Sequence, residues 1–177
     1  MSWIYEKNHD NSARYILGTK GKNPLVCFGI NPSTATPKKL DNTLKSVSRI
    51  AINNNYDSWI MFNVYPQRAT NPNKLHDSID LSLHKMNIIH VKKILEEYKP
   101  TLWAAWGTLI KKRIYLYKCL YDIFELSCMY QCNWITFGKT SKLGHPHHPL
   151  YLKKDSNPVV FPIEEYMATK MEQQYNL

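Results

Sequence analysis

Hydrophobic and polar positions fall into two regimes along the chain. Four short runs are almost continuously apolar, β-branched or aromatic: Leu25-Val-Cys-Phe-Gly-Ile30, Ser58-Trp-Ile-Met-Phe-Asn-Val64, Thr101-Leu-Trp-Ala-Ala-Trp106 and Asn133-Trp-Ile-Thr-Phe137. Continuous rather than alternating apolar character predicts strands covered on both faces, as in a parallel sheet. Arg14-Tyr-Ile-Leu17 predicts a further strand at an edge. Between the runs the spacing turns helical. Asp41 or Asn42 can cap a helix through Leu44, Val47 and Ile50-Ala51, closed by Asn53-Asn-Asn55. From about Asp77, residues Leu81, His84, Ile88, Val91, Leu95 and Tyr98 make one helical stripe that Pro100 ends. A third helical segment spans roughly Thr108 to Leu126, and a last one follows Pro162.

Strand–helix–strand repetition predicts a parallel sheet with right-handed crossovers and helices on both faces. With no repeat and no Gly/Ser linker, residues 1–177 read as a single domain. Ligands of such sheets bind beyond the carboxyl ends of the strands. Polar, turn-forming residues collect there: Gly29-Ile-Asn-Pro-Ser-Thr34, Asn63-Val-Tyr-Pro-Gln-Arg68, Gly107, and Gly144-His-Pro-His-His-Pro-Leu-Tyr-Leu152. One cleft accounts for all four.

Composition adds a bias and several exclusions. The apolar fraction of 44% is enough for a buried core, and no apolar run approaches the ~18 residues that span a bilayer. The first residues lack the basic-then-apolar layout of a secretory signal, so the expectation is a cytoplasmic protein without a membrane partner. The net charge of +9 points towards a polyanion such as DNA. Nineteen of the 23 basic residues are Lys, and Asn and Ile are plentiful, as AT-rich coding would also produce. Only Arg14, Arg49, Arg68 and Arg113 offer the guanidinium fork that reads bases. Cys27, Cys119, Cys128 and Cys132 form no Cys-x-x-Cys pair and read as buried reduced thiols rather than metal ligands. Phosphate-binding Gly-x-x-x-x-Gly-Lys-Ser/Thr, Gly-x-Gly-x-x-Gly and Gly-x-Ser-x-Gly are all missing, which disfavours nucleotide hydrolases of that kind and α/β-hydrolases.

The strand-end residues offer specific chemistry. Asn31-Pro-Ser is a turn that can bond its own backbone, or can hold the Asn31 amide and loop N–H groups towards a water or ligand. Asn63 ends an apolar strand, where its amide must bond a loop or face a ligand, and an amide matches the donor–acceptor edge of a nucleobase. Pro146 and Pro149 interrupt the run of His145, His147 and His148, which prevents the helical spacing of zinc proteases, so no metal is expected. Lys139, Lys142, Lys153 and Lys154 flank this loop as a rim for phosphates, or as an ordinary solvated surface.

Taken in order, Asn31-Pro-Ser-Thr-Ala35, Asp41-Asn-Thr43, Asn63 with Arg68-Ala-Thr-Asn-Pro72, Ala105-Trp-Gly107 and Gly144–Tyr151 resemble the bacterial domain-of-unknown-function family 1643. A more distant likeness is to uracil-DNA glycosylases. Gly29-Ile-Asn-Pro is similar to the first motif of the mismatch-specific enzymes. Trp59-Ile-Met-Phe-Asn-Val with Arg68 and Pro72, Lys99-Pro-Thr-Leu-Trp-Ala-Ala-Trp-Gly107 and His148-Pro-Leu-Tyr-Leu152 resemble segments of the bacterial family-four and family-five enzymes. This likeness implies a three-layer α/β/α sandwich with a central, mostly parallel four-stranded sheet of order 2-1-3-4. It also implies a DNA glycosylase-like enzyme hydrolysing the N-glycosidic bond of a flipped, modified base. By position, Asn31 would orient the attacking water, Asn63 would read the base, and His148 would bond the departing base. Asp41 would substitute for the carboxylate missing from the first motif, or would simply cap its helix. Gly29, Pro32, Ser33, Tyr65, Arg68, Gly107 and His145 would complete the substrate contacts. The four-Cys iron–sulfur pattern is absent, so no cofactor is expected. The alternatives are a base- or nucleotide-modifying enzyme of the same fold, or a non-catalytic nucleic-acid-binding module.

Overall fold

A computed structural model describes residues 2–175. The strands are β1 (Trp3–Lys7), β2 (Arg14–Thr19), β3 (Pro24–Gly29), β4 (Ser58–Asn63), β5 (Thr101–Ala104), β6 (Trp134–Phe137) and β7 (Pro158–Val160). The helices are α1 (Asn42–Asn53), α2 (Leu81–Tyr98), α3 (Tyr115–Met129) and α4 (Ile163–Tyr175). Short 3₁₀ turns cover Pro72–Lys74, Gly107–Lys112 and Pro149–Tyr151.

All seven strands form one mixed sheet of order β1-β2-β4-β3-β5-β6-β7. The four continuous apolar runs are its parallel block, β4-β3-β5-β6, while β1, β2 and β7 pair antiparallel. The expectation of four strands is therefore corrected to seven. So is the edge position of Arg14-Tyr-Ile-Leu17, because β1 covers that side and β2 is buried throughout.

Alternation along the strands divides the core between the two faces. Leu25, Cys27, Met61 and Trp103 pack with Leu44, Val47, Ile50 and Ala51 of α1. Val26, Phe28, Phe62 and Leu102 face Val91 and Leu95 of α2, Leu116 and Leu120 of α3, and Tyr166 of α4. Helix α1 begins where Asp41 accepts the Leu44 N–H at 2.9 Å. Helix α2 starts later than the first candidate cap, because Asp80 rather than Asp77 accepts the Ser82 and Leu83 N–H groups. It ends at Lys99, which takes a left-handed conformation (φ 45°) before Pro100.

Among the described residues no helix is long and apolar enough to cross a membrane. Cys27 and Cys119 are buried thiols as expected, but Cys132 is only half-buried and Cys128 is exposed.

Candidate functional site

The parallel ladder continues past the strand ends and lines up the loops that follow. Val64 and Tyr65 donate to Gly29 and Ile30 carbonyls at 2.8 and 3.0 Å, and Ala105 donates to Phe28 O at 3.0 Å. Gly29 and Asn63 are direct partners in the register of β3 and β4. A Cβ on Gly29 would stand 2.6 Å from Met61 Cε and 3.0 Å from Asn63 Oδ1, so glycine leaves room for the Asn63 side chain.

Beyond these ends lies a cavity of about 150 Å³. Gly29, Asn31, Pro32, Ser33, Asp41, Asn63 and His148 line it, together with Arg14. Its volume is well under the ~300–1,000 Å³ of drug-sized pockets, which suits one small ring or group. His148 and Leu109 also border a second, more apolar hollow of about 400 Å³ that contains Gly107, His145 and His147.

Asn31 spends its amide N–H₂ on Ala69 O (2.8 Å) and Pro32 O (3.1 Å), which leaves Oδ1 to accept from a ligand or water. Asn63 is 1% exposed, and its Nδ2 has no hydrogen-bond partner. A buried, unpaired amide donor is costly, so this one calls for an acceptor from outside the chain. Asp41 uses Oδ1 to cap α1, leaving its second carboxylate oxygen over.

His148 is the N-cap of the last 3₁₀ turn, and its Nδ1 accepts the Leu150 N–H at 3.3 Å. The ring proton therefore belongs on Nε2, making that atom a donor. Burial depresses the His148 pKa, with Asp41 opposing, so the neutral form is favoured. Ser46 Oγ donates to Pro149 O at 2.8 Å and Asn53 Nδ2 to Lys154 O at 2.8 Å, which fixes the His-Pro loop to α1. Gly107 takes φ +64°, and a Cβ there would lie 3.5 Å from His148 Cβ.

The three loop histidines part company. His147 is exposed. His145 is 1% exposed and ends a chain in which Trp106 Nε1 donates to Tyr166 Oη (3.1 Å) and that hydroxyl meets His145 Nδ1 (2.8 Å). Burial first, then Lys170 and Lys111, push the His145 pKa down to about 4. Its part is to anchor the loop to α4, although it also borders the apolar hollow.

Four of the expected substrate contacts do not join the cavity: Gly107 and His145 border only the apolar hollow, and Tyr65 and Arg68 are engaged elsewhere. Tyr65 is wholly buried on the other face of the sheet, where its hydroxyl accepts the Asp80 N–H and meets His76 Nδ1, both at 2.9 Å. Arg68 clasps the first loop, donating to Ser33 O and Ala35 O and to Tyr5 Oη (2.9 Å). Lys139, Lys142, Lys153 and Lys154 are all exposed and none lines the cavity; Lys139 borders a separate groove against α4. Nor do the arginines present free forks. Arg14 is buried, Arg68 and Arg113 are held by backbone carbonyls, and Arg49 bonds Ser46 Oγ.

Sequence reasoning missed Arg14 as a site residue. It is 2% exposed, donates Nη1 to Ala35 O at 3.3 Å, and leaves Nε without a partner. Burial and the neighbouring Arg68 hold its pKa down to about 10, still charged at neutral pH. A charged residue opening an otherwise apolar strand was the available signal. Among the described residues no group of three or more His, Cys, Asp or Glu could hold a metal ion.

Residues 14–150 match the family described as Protein of unknown function (DUF1643). No curated protein and no solved structure matches the chain.

Proposed function

The chain belongs to the DUF1643 family, and from that premise we propose that it is a DNA glycosylase-like hydrolase acting on a flipped, modified nucleobase. On this reading the parallel block β4-β3-β5-β6, with helices on both faces, is the core of a glycosylase-like α/β/α sandwich. The observation that carries the proposal is the unpaired Nδ2 of buried Asn63, in a base-sized cavity that it shares with Asn31, Asp41 and His148.

Each group has a task that its surroundings support. Asn63 offers an amide edge to the base. Asn31 Oδ1 accepts from the attacking water, and the spare Asp41 oxygen takes the water's proton. The C1′–N bond breaks with its electron pair going to the base, and His148 Nε2–H bonds the oxygen on which that charge gathers. A fixed donor in a water-poor site is worth about 10²–10³-fold at such a centre. The products are a free base and an abasic sugar. Lys153 and Lys154, exposed where the His-Pro loop meets α1, would meet DNA phosphates.

The test is incubation with oligonucleotides carrying uracil and a panel of modified bases, followed by alkaline cleavage at abasic sites. Strand breaks at one modified base support the reading. A protein that binds DNA in a salt-sensitive way and never yields abasic sites is a binding module. One with no length-dependent DNA affinity that converts free nucleosides or nucleotides is a small-molecule enzyme.

A further inference from the structure

We infer that the Asn63 cavity is an oxyanion site, in which a carboxylate or phosphate oxygen of the ligand sits against Arg14 and Asn63. Two side chains almost fully removed from water line this space, and each leaves a donor unmet: Arg14 Nε and Asn63 Nδ2. A guanidinium does not discharge to escape burial. Among the described residues Arg14 makes no ion pair; the pairs present are His84–Asp122, Arg113–Asp77 and Lys118–Asp122.

The surroundings compensate the charge only in part, with Asp41 opposing burial and Arg68. Arg68 donates to the same Ala35 carbonyl as Arg14, and its own Nε is likewise unpaired. Against these two guanidiniums stands one carboxylate at the cavity, Asp41, already engaged in capping α1. A buried cation without a partner is among the costliest arrangements in a fold. Here the missing partner is an anion from outside. A water could fill an acceptor position, but only an anion supplies the missing charge as well.

Both unmet groups are N–H donors, so they call for acceptor oxygens rather than another cation or a purely apolar group. The small volume restricts the anion to a compact group such as a carboxylate on a single ring or one phosphate. This inference goes beyond N-glycosidic hydrolysis, because it rests on the charge balance of the cavity and holds whatever bond is broken.

The experiment is calorimetric titration of the full chain with orotate against uracil, with uridine 5′-monophosphate against uridine, and with inorganic phosphate. The expected result is that an anionic probe binds at least ~30-fold more tightly than its neutral counterpart. Preference for orotate alone assigns a carboxylate on the base; preference for the monophosphate, with binding of inorganic phosphate, assigns a phosphate. Arg14→Met should abolish the preference while leaving the melting temperature unchanged or raised, since it removes a buried charge that is only partly compensated. The wild-type series decides alone if that variant fails to fold. Equal affinity within both pairs, absence of binding by every anionic probe, or a preference that survives in folded Arg14→Met overturns the inference. Abasic sites without anion preference would refute the oxyanion site alone. Anion preference without abasic sites would refute the hydrolase reading alone.

Discussion

Two polar clusters lie at the carboxyl end of the same sheet, on opposite faces, and they are completed differently. On the α2–α3 face, Tyr65 Oη accepts the Asp80 N–H and meets His76 Nδ1, while the His76 carbonyl receives Tyr115 Oη and Arg113 Nε, both at 3.0 Å. The Tyr65 and Tyr115 hydroxyls, the Asp80 N–H and the His76 carbonyl all have partners from the chain, while on the same face Asn87 Oδ1 and His84 Nδ1 of α2 have none and line none of the cavity. On the α1 face, Asn63 and Arg14 are as deeply buried, yet each keeps an unmet donor beside a cavity. The first cluster closes loops and caps a helix; the second is complete only with something bound. Polarity at a strand end does not by itself mark a site, but buried polarity left open beside a space does.

That contrast can be broken first in catalysis, where the largest effect is expected. Asn63→Ala should slow single-turnover cleavage of the substrate identified by the base panel by about 10²–10³-fold, roughly 3–4 kcal/mol. A variant within a factor of two of wild type would detach Asn63 from the chemistry. The next effect is on stability against pH. His145 has a folded pKa of about 4 against 6.5 for the ordinary group. The unfolded chain thus binds the extra proton first, and stability present above pH 6.5 falls as pH drops towards 4. The loss should be on the order of 2–3 kcal/mol, read from urea midpoints, and should flatten in His145→Gln. Equal slopes for the two proteins would mean that His145 charges freely in the folded state.

Smaller effects separate the clusters directly. Tyr65→Phe strands the Asp80 N–H and His76 Nδ1 and should cost about 1–3 kcal/mol in urea unfolding. Asn63→Ala, which strands nothing on its amide-nitrogen side, should cost under ~1 kcal/mol. If Asn63→Ala proves the more destabilising, the amide is a structural bond and the contrast between the faces disappears.

Much of this was legible in the residues. Continuous apolar runs marked the four parallel strands to within a residue or two, because burial on both faces leaves little room for polar alternation. Strands β1 and β7 left weaker traces: β1 mixes Trp3, Ile4 and Tyr5 with Glu6 and Lys7, and β7 is three exposed residues opened by Pro158. Missing β1 is what made β2 look like an edge and Arg14 like a surface fork. Asp41 came only from the likeness to the glycosylase first motif, and Gly107 borders the adjoining hollow instead; the rule that ligands gather at strand ends brought Asn31, Asn63 and His148 to one cavity, since it depends only on topology. It could not separate Tyr65 and Arg68 from them, because which face a residue takes after its strand has ended depends on loop hydrogen bonds with no periodic signature.

The most direct test of the account sets His148 against its exposed neighbour on a substrate that the wild type cleaves. Only His148 lines the cavity, with Nδ1 engaged by Leu150 and Nε2 left to donate. His148→Ala should lower the single-turnover rate by about 10²–10³-fold, with a much smaller loss of DNA affinity because phosphate contacts remain, while His147→Ala stays near wild type. A His148→Ala protein that cleaves at the wild-type rate would make the His-Pro loop a structural element and contradict the proposed mechanism.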